Sequence, residues 1–356
     1  MKNPVIDYRK FPETYIASIR TAVHQRSEII KHIENLKTMI EPSFIAGSAF
    51  IITYFVTSVA DGDDMEICIP LKSEVKSDLF STRLLPSFEV LSLVHQGPIS
   101  DLGKSYQELF QYGRNNWYIS DEFGREVFID SDDPLAETIE IQLIIHNWNK
   151  LLSKNLERVL GPEVQEELMD GHEKLPHTIS TEEQYNWLSN VIDRLDERAT
   201  KDQKYDILSS CSHIFPQEII DRGKEIFRKA LAENNSFLDA IDSTIQFMGK
   251  DHGWGDAPVR EGYVLYVKKS PANPQKYKDA TTREERRKAY CFCLMVQEHL
   301  NDGLSPTFCN CGTGWFRRQW ESILDHPVKI QILHSVLKGD EECKFAIHLP
   351  QNLPMS

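Results

Sequence analysis

No run of 18 apolar residues occurs in the chain, which excludes an apolar membrane-spanning helix. The opening residues, MKNPVIDYRKFPE, lack the apolar core of a secretory signal, so a cytoplasmic protein without membrane association is expected. No Ser/His/Asp order, glycine-rich phosphate loop or H-E-x-x-H is present, and acyl-enzyme, nucleotide and zinc-protease chemistries lose their motif support. Positive charge is scarce. Forty Lys plus Arg against 54 Asp plus Glu leave a formal charge of −14, a field that repels phosphate backbones and argues against direct nucleic-acid binding. The basic cluster REERRKAY at 283–290 reads as a solvated face. Without a secretory context, the seven cysteines are expected as reduced thiols or metal ligands rather than a disulfide framework.

A chain of 356 residues is long for one core, so two domains are expected. Residues 1–147 contain an internal repeat. Arg9, Pro12 and Ser18 recur as Arg83, Pro86 and Ser92, each 74 positions on, and the same offset carries Glu34 to Glu108, Tyr54 to Phe128, Glu66 to Glu140 and Ile67 to Ile141. Each copy reads strand, helix, strand, strand: Thr14–Ala22, Ser27–Met39, Ala49–Val56 and Met65–Leu71, then Phe88–His95, Leu102–Arg114, Glu126–Asp130 and Ile139–Ile145. In the second helix Asp101 suits the N-cap, and Leu102, Tyr106, Leu109 and Phe110 share one face. Two such units pair into an α+β domain with a cleft where they meet.

Between Thr138 and His146, the strand segment IEIQLII is apolar apart from Glu140 and Gln142. Strand alternation sends Ile139, Ile141 and Leu143 one way and Glu140 and Gln142 the other. With the isoleucines against the helices, Glu140 faces the cleft. A carboxylate there needs a cation or a donor, supplied either by a ligand or by an arginine such as Arg125.

The segments FPETYIASIR, MEICIPL, LVHQGPISDLGKSYQEL, REVFID and IEIQLII resemble the GyrI-like effector-binding family of drug-responsive bacterial regulators. The pattern H-x-G-P, then Leu and Tyr, appears as His95, Gly97, Pro98, Leu102 and Tyr106, while Ile139 replaces the usual threonine before the glutamate. This resemblance implies a ligand held between the two repeats, Glu140 as the pocket acid, and aromatic walls. Tyr15, Tyr54, Tyr106, Trp117 and Tyr118 are the aromatic candidates, with Trp117 and Tyr118 in a loop able to close over the cleft. Aromatic faces around an acid suit amphipathic or lipophilic cations, including multidrug-type ligands. Some family members hydrolyse reactive electrophiles, so the alternative is a hydrolase with Glu140 as general acid/base and Tyr106 orienting substrate or water. No helix-turn-helix segment accompanies the domain.

Residues 148–250 are expected to be helical, with a linker at 160–178 and helices marked by Ser180, Pro216 and Ser236, and residues 148–205 are expected as a helical linker region. Residues 206–356 are expected as a cysteine-containing α+β domain, with strands at Tyr263–Lys268, Tyr290–Val296, Val328–Val336 and Lys344–His348 and a helix at 313–324. Two C-x-C pairs, Cys291/Cys293 and Cys309/Cys311, would converge if their segments paired as a hairpin, giving a closed four-thiolate site for a structural zinc. Cys211 and Cys343 are further candidates; buried reduced thiols, or a redox disulfide or another metal, are the alternatives. The tail Gly339, Asp340, Cys343, Phe345, Ile347 resembles the closing hairpin of the 4-vinyl-reductase domain family, which implies a second small-ligand module. The whole reads as a small-molecule sensor or sequestering protein.

Overall fold

The computed structural model describes residues 5–58, 63–129, 138–171, 181–212, 217–233, 236–249, 257–293 and 295–351. Contacts divide the chain into two compact units, Met1–Arg114 with Tyr118–His146, and Asn115–Trp117 with Asn147–Ser356.

In the first unit the order is β1 (Ile6–Phe11), β2 (Thr14–Val23), α1 (Arg26–Thr38), β3 (Phe50–Ser58), β4 (Asp63–Leu71), β5 (Ser81–Leu85), β6 (Phe88–Gln96), α2 (Leu102–Asn115), β7 (Tyr118–Phe128) and β8 (Thr138–Asn147). The strands form one sheet in the order β1-β6-β8-β7-β3-β4-β2-β5. The repeat is visible in the register. On the first edge Arg9 of β1 pairs with Val90; on the other edge Arg83 of β5 pairs with Ile16. Each edge strand thus borders the opposite copy. Both edge strands are short and polar (DYRK, STR), a composition that suits a sheet edge and hides them from a hydrophobic-pattern reading.

Helices α1 and α2 cover one face. Ile29, Ile33 and Leu36 of α1 pack with Ala17, Ile51, Ile67 and Ile69, while Leu102 and Leu109 of α2 pack with Leu91, Leu93, Ile141 and Leu143. The alternate residues build a separate apolar cluster from strands alone: Ile16, Phe50, Ile52, Cys68 and Leu85, with Tyr54, Phe88 and Val127 against it. This second face carries neither helix of the unit.

The second unit is α+β as well. It holds helices α3 (Trp148–Leu160), α4 (Pro162–Leu168), α5 (Thr181–Arg198), α6 (Lys201–Ser209), α7 (Gln217–Ala232), α8 (Phe237–Met248), α9 (Pro274–Asp279), α10 (Arg283–Tyr290) and α11 (Asn310–Leu324). Strands β9 (Val259–Glu261), β10 (Val264–Lys268), β11 (Lys329–His334) and β12 (Lys344–His348) form an antiparallel sheet in the order β11-β12-β10-β9.

Three expectations are corrected here. The linker at 160–178 includes a helix, α4, started by Pro162 and anchored by the buried Leu168. Among the described residues no strand lies within Tyr290–Val296, because a Thr282/Glu285 capping box starts α10, which ends at Tyr290. The basic cluster on α10 is not wholly solvated either: Arg287 is buried and donates to the Val336 carbonyl at 2.7 Å and to Asn301 at 2.8 Å. Ser180 and Pro216 lie outside the described residues.

Candidate functional site

Glu140 stands on the helix-free face, as alternation requires, and is 9% exposed. Its Oε1 accepts from Arg9 Nη2, and the same guanidinium donates to Ser92 Oγ at 2.9 Å. The other copy repeats the arrangement. Arg83 donates to both Glu66 oxygens, at 3.3 and 2.7 Å, and Ser18 also bonds Glu66. The three positions matched by the offset of 74 therefore converge into one Arg–Ser–Glu cluster per copy. In the Glu66 cluster the Tyr54 hydroxyl joins, donating to the carboxylate at 2.8 Å. Burial by itself raises the Glu66 pKa, but donors from Arg83, Ser18 and Tyr54 outweigh it and hold the carboxyl below its ordinary range. Beside it Arg20 clamps Asp64 at 2.9 and 2.5 Å and lies 3.9 Å from the Tyr54 ring centroid.

Among the described residues, the buried acids on this face, Glu140, Glu66 and Asp64, are thus matched one to one by arginines, and a fourth arginine remains. Arg125 on β7 is 6% exposed. Its guanidinium carbon lies 3.9, 4.8 and 5.5 Å from the ring centroids of Phe50, Phe11 and Phe88. Its Nε is buried without a hydrogen-bond partner, and among the described residues it forms no ion pair. Burial lowers its pKa to about 10, although the nearby Cys68 and Glu140 act the other way. Removing an ion from water costs several kcal/mol, whereas a cation over a ring recovers about 0.5–2 kcal/mol. The cage offsets part of the cost and leaves the in-plane donors unused. Gln142, two residues beyond Glu140 on the same face, is fully buried, and both its amide oxygen and nitrogen lack partners. Each unsatisfied buried polar group costs about 1–3 kcal/mol.

The aromatic candidates separate. Tyr54 is on the Glu140 face. Tyr15 packs into the helix-side core of the first copy, and Tyr106 and Tyr118 into that of the second. The Tyr106 hydroxyl donates to Glu126 at 2.9 Å, and Glu126 also pairs with Arg26 at 2.5 Å. The structure therefore does not bring Tyr106 to Glu140. Trp117 belongs to the second unit, its ring centroid 6.1 Å from that of Trp148 and 5.6 Å from that of Trp187. Trp117 and Tyr118 are both buried rather than forming a free flap. Sequence reasoning missed Phe11, Phe50 and Phe88, although strand parity with Tyr54 and Ser92 marks the last two. His95 shapes its own turn instead of meeting a ligand. Its Nε2 lies 3.1 and 3.3 Å from the Gly97 and Pro98 carbonyls, so that nitrogen carries the proton, while Nδ1 accepts from Ser105 Oγ at 2.9 Å.

In the second unit Cys291 follows α10, Cys309 precedes α11 and Cys311 lies in its first turn, so the expected hairpin is absent. Burial pushes the Cys291 and Cys309 thiols up to about 12 and raises Cys293, Cys311 and Cys343 as well. The Lys269 ammonium acts against that rise at four of them. Among the described residues no group of three or more His, Cys, Asp or Glu is placed to hold a metal ion. Thiols kept protonated beside an ammonium do not make a preformed cation site. The tail signature is structural: Gly339 takes φ 96°, Asp340 accepts from the Ser335 amide at 2.8 Å, and Phe345 and Ile347 are buried.

No family model and no curated protein matches the chain. Among solved structures, the chain is 21% identical to the crystal structure of the EcmrR C-terminal domain, covering 40% of this chain and 98% of that one, with a TM-score of 0.36. Against EcmrR in an EcmrR–DNA complex the identity is again 21% and the TM-score 0.35, and the alignment, over 40% of this chain, spans 57% of that chain's length. SAV2435 bound to tetraphenylphosphonium is 12% identical over 41% of this chain and 96% of that one, with a TM-score of 0.28. At TM-scores this low the likenesses carry no argument, and the functional reading rests on the residues.

Proposed function

We propose that the first unit is a small-molecule-binding module, of sensing or sequestering type, whose ligand lies on the helix-free face between the two repeats beside Glu140. The observation that carries this reading is the unsatisfied chemistry of that face. A floor of Phe11, Phe50 and Phe88 surrounds Arg125, and Arg125 and Gln142 on this face lack hydrogen-bond partners among the described residues. A core selected for stability alone satisfies such groups or replaces them.

The cationic ligand first expected would need the Glu140 carboxylate, which Arg9 already neutralises. With 44% of its side-chain surface exposed, Arg9 acts as a built-in, displaceable cation. Arg9→Ala is expected to raise the affinity for tetraphenylphosphonium by roughly tenfold, the equivalent of about 1.4 kcal/mol, and Glu140→Gln added to it should abolish the gain. Calorimetric titration of the three proteins checks this; unchanged affinity on removing Arg9 would exclude Glu140 from the site. With Tyr106 bonded to Glu126 on the other face, saturable binding without Glu140-dependent turnover of a strained electrophile is the expected behaviour. The structural zinc at Cys291, Cys293, Cys309 and Cys311 stays a separate proposal, one that requires these thiols to move together and lose protons. About one zinc per chain after purification without added metal would support it, and fewer than ~0.2 would withdraw it.

A further inference from the structure

The buried acids on the helix-free face are already answered: Arg9 meets Glu140, Arg83 meets Glu66, and Arg20 meets Asp64. Arg125 is left over. The phenylalanine rings lie within cation–π range of its guanidinium, while its N–H donors point in its own plane, where rings cannot accept them. Gln142 adds a second unpartnered donor and an unpartnered acceptor on the neighbouring strand of the same face. A partner that satisfies both must present oxygens in a plane and an apolar body to the phenylalanines. A carboxylate does the first and an aromatic ring the second.

Building on the ligand-binding reading above, we propose that the native ligand is an aromatic carboxylic acid, bound as its anion, with Arg125 pairing the carboxylate and Gln142 donating to it. The same arrangement disfavours lipophilic cations in the unmodified protein, because each buried acid there already has its own arginine and the buried Arg125 adds a further positive charge.

The test uses the full chain and three probes of one shape: 2-naphthoate, naphthalene-2-carboxamide and 2-naphthylmethylammonium, titrated calorimetrically near neutral pH. The anion is expected to bind at least ~10-fold more tightly than the neutral amide, as a hydrogen bond to a charged partner provides, and the ammonium most weakly. Arg125→Met should reduce naphthoate to the level of the amide and leave the amide unchanged. Equal affinity for all three, or an anion preference that survives Arg125→Met, overturns the carboxylate assignment while leaving the binding module in place. Failure of all three to bind overturns the module as well. If Arg125→Met does not fold, the ranking of the three probes on the unaltered protein decides.

Discussion

Arg9, Ser92 and Glu140 at one side of the sheet recur as Ser18, Glu66 and Arg83 at the other. The two sets differ in what surrounds them. Glu66 has Tyr54 and a bidentate arginine, and its depressed pKa makes it a stabilising group above the ordinary carboxylate pKa of ~4.3. That contribution is lost as the pH falls through the folded-state value. Arg83→Met is expected to cost about 1–2 kcal/mol at pH 7, discounted because the arginine is 39% exposed. Urea denaturation should show the gap to the unaltered protein closing below pH ~4. Arg125 predicts the opposite sign: replacing an unpaired buried ion with a flexible apolar side chain, Arg125→Met, should stabilise by about 1–3 kcal/mol, read as a higher urea midpoint. The parity of Glu140 was legible from one strand. The solitude of Arg125 was not, since REVFID gives it an ordinary alternating position and its missing partner depends on three arginines far away in sequence.

At the level of elements, the offset of 74 was enough to find strand, helix, strand, strand twice, because apolar periodicity marks those segments. It did not reveal that β1 and β5 border the opposite copies, although Arg9 and Arg83 on them were among the matched residues. His95, Gly97 and Pro98 shape the turn from β6 into α2, where Gly97 takes φ 135°; the motif that suggested a ligand family serves the backbone. The C-x-C hairpin did not form because spacing says which side chains share a strand face only if a strand forms: the Thr282 cap and Arg287 contacts hold a helix up to Tyr290, just before Cys291, and Cys311 lies in the first turn of α11. Close packing of α11 on α6 gives a sharp test. A Cβ on Gly314 would sit 1.8 Å from the Ser209 carbonyl oxygen, an overlap with backbone that no rotamer relieves. Gly314→Ala is expected to cost about 3 kcal/mol or more, since overpacking of a well-filled contact typically costs about 1–3 kcal/mol, as a lowered urea midpoint of the second unit's transition.

Across the molecule, two α+β units share a chain of net charge −14, yet the helix-free face of the first gathers four arginines. The expectation of a cation came from the acid and the aromatic residues, whose spacing does not show that each buried acid there has its own arginine. None of the described helices is long and apolar enough to cross a membrane. The central claim is that a small molecule occupies that face, and strand alternation supplies its own reporters. Methyl-resolved NMR with 2-naphthoate should shift Ile16, Ile52, Val90 and Ile144 on the ligand face while leaving Ile51, Ile67, Leu91 and Ile141, packed under the helices, in place. Shifts confined to the second group, or none at saturating naphthoate, would contradict it.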